Sequence, residues 1–188
     1  MERGAGRIEV VAGPMFAGKT EELLRRVRRA VIGGRAVEVF THALDTRQGP
    51  GVVASHVGLE HPSREVRSAD EILDLVPEGT DIVAIDEAHF FGLELVPVVE
   101  ELARRGHVVI VAGLAVTFTG RSFEPLPSLM AAAERVDKLT AICTVCGEEA
   151  VFHQRTAPGA AGDVELVAEH VGGAEKYEAR CRRHFVRA

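Results

Sequence analysis

Apolar residues fall into short blocks separated by polar, helix-spaced stretches. Residues 8–12 (IEVVA) form an apolar run that stops at Gly13, the pattern of a strand buried on both faces of a parallel sheet. In 20–32 the apolar positions Leu23, Leu24, Val27, Ala30 and Val31 recur at helical spacing. Glu21 and Glu22 open that helix, Arg28 and Arg29 close it in accord with the helix dipole, and Gly33 and Gly34 stop it. The run Arg25, Arg26, Arg28 and Arg29 reads as the solvated face of this helix. Further strands are predicted at 37–40, 81–85 and 107–114, with a fifth at 138–142. Helices are predicted at 69–76, at 93–105 with Pro97 near the start or at a kink, and at 128–135. Residues 41–62 carry Gly49, Pro50, Gly51 and Gly58 without a period and read as a long loop. Strands alternating with helices specify an α/β fold with a mostly parallel sheet.

From Cys143 onward the pattern breaks into short segments and paired glycines. A boundary therefore falls near 142, giving a larger α/β domain at 1–142 and a small one at 143–188. A length of 188 residues suits one domain with a small appendage. No apolar run reaches membrane-spanning length, and the N-terminal residues lack the apolar stretch of a signal peptide. The expectation is a cytoplasmic protein without membrane contact. A net charge of −6, with one Tyr and no Trp, argues against a nucleic-acid partner.

Chemistry concentrates at three places. Residues 13–20 (Gly13, Pro14, Met15, Phe16, Ala17, Gly18, Lys19, Thr20) fit G-x-x-x-x-G-K-[ST] between a strand and a helix. In that pattern backbone N–H groups and a helix N-terminus cradle phosphates, a Lys reaches the β- and γ-phosphates, and a Thr hydroxyl ligates Mg²⁺. This predicts ATP with Mg²⁺ on a P-loop, and hence a P-loop NTPase (RecA-like) domain. Asp86 and Glu87 follow an apolar strand. Asp86 suits the Mg²⁺ shell, and Glu87, one residue on, can accept a proton from a substrate hydroxyl. The string DEAH at 86–89 also occurs in RNA helicases, but those motors need two RecA-like domains and this chain has room for one. Cys143 and Cys146 form a C-x₂-C pair, and Cys181 with His184 forms C-x₂-H. Four such ligands with no open position predict a structural Zn²⁺, and they use every cysteine in the chain.

The set GPMFAGKT at 13–20, LDTR at 44–47, SHVG at 55–58, DEAHFF at 86–91, TFTGRSF at 117–123, KLTAICTVCG at 138–147 and VGGAEKYEARCRRH at 171–184 resembles the thymidine kinase family that carries a zinc-bound lasso. The resemblance spans residues 8–184. It implies ATP-dependent phosphorylation of the 5′-hydroxyl of thymidine, with Glu87 as the base. It implies that Asp45, Thr46 and Arg47, with Asp86, Glu87, Ala88 and His89, lie on the phosphate side. It implies that Phe118 stacks on the pyrimidine. Ala168, Glu169, His170, Val171, Gly172 and Tyr177 match the lasso that closes over the nucleoside. A homotetramer and feedback by thymidine triphosphate are implied in the same way. Three positions depart from the family: His89 stands where Gln is usual, Ala115 where Asp is usual, and His153 where Thr is usual near the base. His153 either faces the pyrimidine and shifts base specificity, or faces solvent. The competing readings are a related deoxynucleoside kinase, a RecA-like ATPase acting on nucleic acid, and a nucleotide-binding regulator without turnover.

Overall fold

The computed structural model describes residues 5–45, 51–54, 58, 60–156 and 177–187. The main sheet uses β1 (Arg7–Gly13), β2 (Val37–His42), β5 (Arg64–Val66), β6 (Ile82–Ile85), β7 (Val108–Leu114) and β8 (Arg135–Lys138). Their order is β5-β2-β6-β7-β1-β8, and every neighbouring pair is parallel. Between β2 and β5 a short antiparallel pair forms from β3 (Val52–Ala54) and β4 (Glu60–Pro62). The helices are α1 (Lys19–Ile32), α2 (Asp70–Leu75), α3 (Leu95–Arg104) and α4 (Leu126–Ala132).

The two faces of the sheet follow the alternation of side chains along each strand. Ile8, Val10 and Ala12 of β1, Val83 and Ile85 of β6, and Val109 and Val111 of β7 join Leu95, Val98, Val99 and Leu102 of α3 and Leu126 and Leu129 of α4 in one core. On the other face Val11, Ala84, Ile110 and Ala112 meet Leu23, Leu24 and Val27 of α1. With helices on both faces, the C-terminal ends of β1, β2, β6 and β7 are left to build a site, the usual place for one in an open parallel sheet.

Some predicted elements shift. The loop at 41–62 contains the β3–β4 pair, and β5 follows it as an edge strand. Only Val66 of β5 is buried, so its apolar signal is too weak to read. The fifth strand predicted at 138–142 divides. β8 ends at Lys138, and β9 (Ala141–Ile142) pairs instead with β10 (Glu149–Ala150). A 3₁₀ segment, Ala88–Glu94, precedes α3. Pro97 falls in the first turn of α3, where an amide has no intrahelical partner to lose, so it causes no kink.

Arg26 is not on a solvated face. It is 8% exposed and donates to Glu9 Oε2 at 2.8 Å, Glu22 Oε1 at 2.8 Å and Asp137 Oδ2 at 2.5 Å. It thereby ties α1 to β1 and to the edge strand β8. Arg25 is the main cause holding the Glu22 carboxyl down at about 2 against the opposing effect of burial, with Arg26 adding to it. Asp137 is lowered chiefly by Arg26. Arg26→Ala removes the buried partner of Glu9, leaving it the half-exposed Arg7, and should cost about 3 kcal/mol in urea unfolding at pH 7. Both carboxyls are depressed in the folded state. The stabilisation from Glu22 is therefore full above the ordinary Glu value of 4.5 and should fade as pH falls toward about 2, and that from Asp137 is likewise lost on acidification. A variant as stable as wild type at pH 7 would contradict this role.

The C-terminal region adds an antiparallel ribbon of β11 (Phe152–Arg155) and β12 (Tyr177–Arg180), with His153 opposite Ala179 and Arg155 opposite Tyr177.

Candidate active site

β1 delivers the chain to Gly13, where a Cβ would come within 2.8 Å of the Leu139 carbonyl oxygen. The loop then turns through left-handed backbone at Phe16 (φ 67°) and Gly18 (φ 77°) and enters α1. Lys19 is 8% exposed and folds back across the loop, donating from Nζ to the Pro14 carbonyl at 2.7 Å. The Thr20 hydroxyl donates to Asp86 Oδ2 at 2.8 Å. This bond joins the first turn of α1 to the end of β6. It places two hard oxygen donors side by side in a part-buried setting, a donor set that suits a magnesium ion.

β6 ends at Ile85, and the Asp86 amide still donates to the Phe40 carbonyl of β2 at 3.0 Å. Glu87 then adopts φ 49° and ψ 42°, a left-handed conformation that costs a non-glycine residue of order 1 kcal/mol. Its carboxylate therefore leaves the strand on a different course from that of Asp86. Ala88 is fully buried, and His89 is 1% exposed. The His89 ring lies behind Glu87, with ring centres 4.4 Å from Phe90 and 5.2 Å from Phe123. His89 Nδ1 stands 3.4 Å from Glu87 Oε2 and 3.3 Å from the Leu114 amide nitrogen. Asp45 follows the end of β2, the strand beside β6, and its amide donates to the His42 carbonyl at 2.9 Å. His42 packs edge-on against Phe91 with ring centres 4.7 Å apart, and burial pushes its imidazole down. Thr46 and Arg47 lie outside the described residues, as do Ala168, Glu169, His170, Val171 and Gly172.

Beside the P-loop an apolar cluster gathers Met15, Leu114, Phe123 and Tyr177, with Phe118 packed against it. The Phe118 and Tyr177 ring centres are 6.4 Å apart. His153 is 0% exposed, so the solvent-facing alternative does not hold. Its Nδ1 accepts from the Met15 amide at 3.4 Å, and its ring meets Tyr177 edge-on at 5.7 Å. The Arg155 guanidinium lies 5.6 Å from the Phe118 ring centre. Sequence reasoning missed Leu114, Phe123 and Arg155. The available signal was position: Leu114 closes a parallel strand at the end where such sites form, and Phe123 ends the quoted TFTGRSF motif.

The predicted metal ligands converge. The Sγ atoms of Cys143, Cys146 and Cys181 and the ring of His184 lie within 4.8 Å of one another. Cys146 and Cys181 sulfurs are 3.7 Å apart, and His184 Nδ1 is 3.8 Å from Cys143 Sγ and 3.3 Å from Cys181 Sγ. Tetrahedral zinc, at about 2.3 Å from sulfur and about 2.0 Å from nitrogen, requires separations of about 3.8 and 3.5 Å. The cluster can therefore hold zinc. Burial alone would raise the Cys143 thiol. N–H groups of Cys181, Val145 and Cys146, with the His184 ring, outweigh it and bring the thiol down to about 5, favouring the thiolate a metal requires.

The sequence model of the thymidine kinase family matches residues 6–185. Proteins named thymidine kinase from two strains of Halobacterium salinarum are 47% identical over 97% of this chain and 96% of their own length. One from Haloquadratum walsbyi is 43% identical with the same coverage. Among solved structures, domain III of the Thermotoga maritima replication initiation protein DnaA aligns with a TM-score of 0.41 and 16% identity over 71% of this chain and 55% of its own, too distant to carry an argument. With nearly its full length matched by that family and by its named members, the chain belongs to the thymidine kinase family.

Proposed function

We propose that this protein transfers the γ-phosphoryl group of ATP to the 5′-hydroxyl of thymidine, and that Glu87 is the base. The observation that carries the reading is the Thr20–Asp86 bond beside the differently aimed carboxylate of Glu87. The P-loop from Gly13 to Thr20 grips the triphosphate, and Lys19 swings from Pro14 to the β- and γ-phosphates. Thr20 and Asp86 would hold Mg²⁺, which neutralises charge developing on the phosphates. The new bond joins the nucleoside 5′-oxygen to the γ-phosphorus. The bond to the β,γ-bridging oxygen breaks, and the 5′-hydroxyl proton passes to Glu87. Asp45, beyond the end of β2, attends the phosphates, and the family likeness assigns Thr46 and Arg47 to the same role.

On this reading Phe118 and Tyr177 flank the pyrimidine, and the family likeness assigns residues 168–172 to the same nucleoside. Residues 143–188 act as a lasso held by structural zinc. The same family likeness supports a cytoplasmic homotetramer inhibited by thymidine triphosphate. Among the described residues no helix is long and apolar enough to cross a membrane. The nucleic-acid ATPase reading gains no support from the family match. Incubating the protein with ATP, Mg²⁺ and a panel of nucleosides tests the reading. Thymidine should be the preferred acceptor, and ATP turnover stimulated by DNA or RNA instead would overturn it.

The burial of His153 between Met15 and Tyr177 favours a second-order effect on base choice. His153→Thr should change the ratio of kcat/KM for thymidine over deoxyuridine by roughly 10-fold, within the range one methyl can contribute. An unchanged ratio would remove His153 from the base pocket.

A further inference from the structure

His89 stands beside the carboxylate on which the proposed chemistry depends. The 3₁₀ turn that follows Glu87 carries the His89 ring back beside the carboxylate. Both are buried, with side chains 1% and 7% exposed. Phe90 at 4.4 Å and Phe123 at 5.2 Å confine the ring, so it cannot swing aside. One ring nitrogen, Nδ1, faces two groups of opposite character: the Leu114 amide at 3.3 Å, which can only donate, and Glu87 Oε2 at 3.4 Å, which when ionised can only accept.

We propose that His89 is a positioning residue for Glu87, tethering one carboxylate oxygen so that the other is presented to the nucleoside hydroxyl. With Nδ1 bare, the ring accepts from Leu114 and is anchored to the end of β7. With Nδ1 protonated, it donates to Glu87. The 3.4 Å separation is within ion-pair reach and long for a hydrogen bond. The left-handed backbone at Glu87 sets the direction of the side chain, and His89 fixes its last torsion. A glutamine would offer an amide N–H to Glu87 and a carbonyl to Leu114 at the same time, so it should serve in place of the ring. Leucine can make neither contact but suits the apolar surroundings.

This role rests on Glu87 being the base, and the test separates the two. Steady-state kcat and KM for thymidine and ATP are measured for wild type, His89→Gln, His89→Leu, Glu87→Gln and the double variant Glu87→Gln/His89→Leu. His89→Leu should lower kcat by about 10- to 100-fold with both KM values within about twofold. His89→Gln should stay within about threefold of wild type. The double variant should be no slower than Glu87→Gln alone, because a residue acting only through Glu87 has nothing left to position. If the two losses multiply, His89 acts elsewhere and the proposal fails. A His89→Leu enzyme as fast as wild type also overturns it. If Glu87→Gln itself turns over normally, the base assignment falls, and this role with it. Should His89→Leu not fold, His89→Met is read in its place, with thermal melting of each variant to confirm the native fold.

Discussion

Glu87→Gln should lower kcat by about 10²- to 10⁴-fold while KM for ATP and for thymidine stays close to wild type. A nucleoside hydroxyl is a poor nucleophile and loses its proton as the phosphoryl group transfers. Lys19 is a cation and cannot take that proton. Asp86 is bonded to the Thr20 hydroxyl at 2.8 Å and belongs to the proposed magnesium shell. Glu87 is the adjoining carboxylate, turned away from Asp86 by its left-handed backbone. Asp86→Asn should therefore behave differently, weakening the binding of Mg·ATP as well as slowing turnover. If Glu87→Gln runs at the wild-type rate, the base lies elsewhere and Asp45 is the next residue to replace.

Cys146→Ser should abolish stoichiometric zinc and unfold the C-terminal region at temperatures where the α/β core persists. Closed four-ligand zinc sites contribute about 10–16 kcal/mol of apparent binding energy in small zinc-dependent folds, and that energy is folding energy. Here the site joins the β9–β10 turn to the end of β12. Cys143 follows β9, whereas Cys181 follows β12, which carries Tyr177 into the cluster with Met15 and Phe123. Loss of metal should consequently raise the KM for thymidine far more than that for ATP. Elemental analysis of the purified protein checks the premise, and a wild-type preparation without zinc would contradict it.

The parts of this molecule legible in its sequence are those in which neighbours along the chain are neighbours in function. The P-loop is contiguous, each zinc pair is closely spaced, and β7 is an unbroken apolar run, with β1 interrupted only by Glu9, because helices cover both faces of the sheet. What escaped depends on contacts between distant segments. Arg26 looks like one more surface arginine of α1, because its partners Glu9 and Asp137 lie on strands 17 and 111 residues away. β5 is an edge strand of three residues with one inward side chain, so it carries almost no periodic signal. The bond between Met15 and His153 spans 138 residues and turns what the sequence left open into a buried wall of the proposed nucleoside pocket. His89 was legible as a departure from its family, but its apposition to Glu87 follows from the 3₁₀ turn after β6, which no apolar period announces.

The central claim is phosphoryl transfer from ATP to the 5′-oxygen of thymidine. Its most direct measurement compares thymidine with 5′-deoxythymidine, which lacks only the acceptor hydroxyl, in the presence of ATP and Mg²⁺. One ADP should be released per thymidine 5′-monophosphate formed, with no nucleoside-dependent ADP from the deoxy analogue. Equal ADP release with both, or a phosphate on the 3′-oxygen, would contradict it.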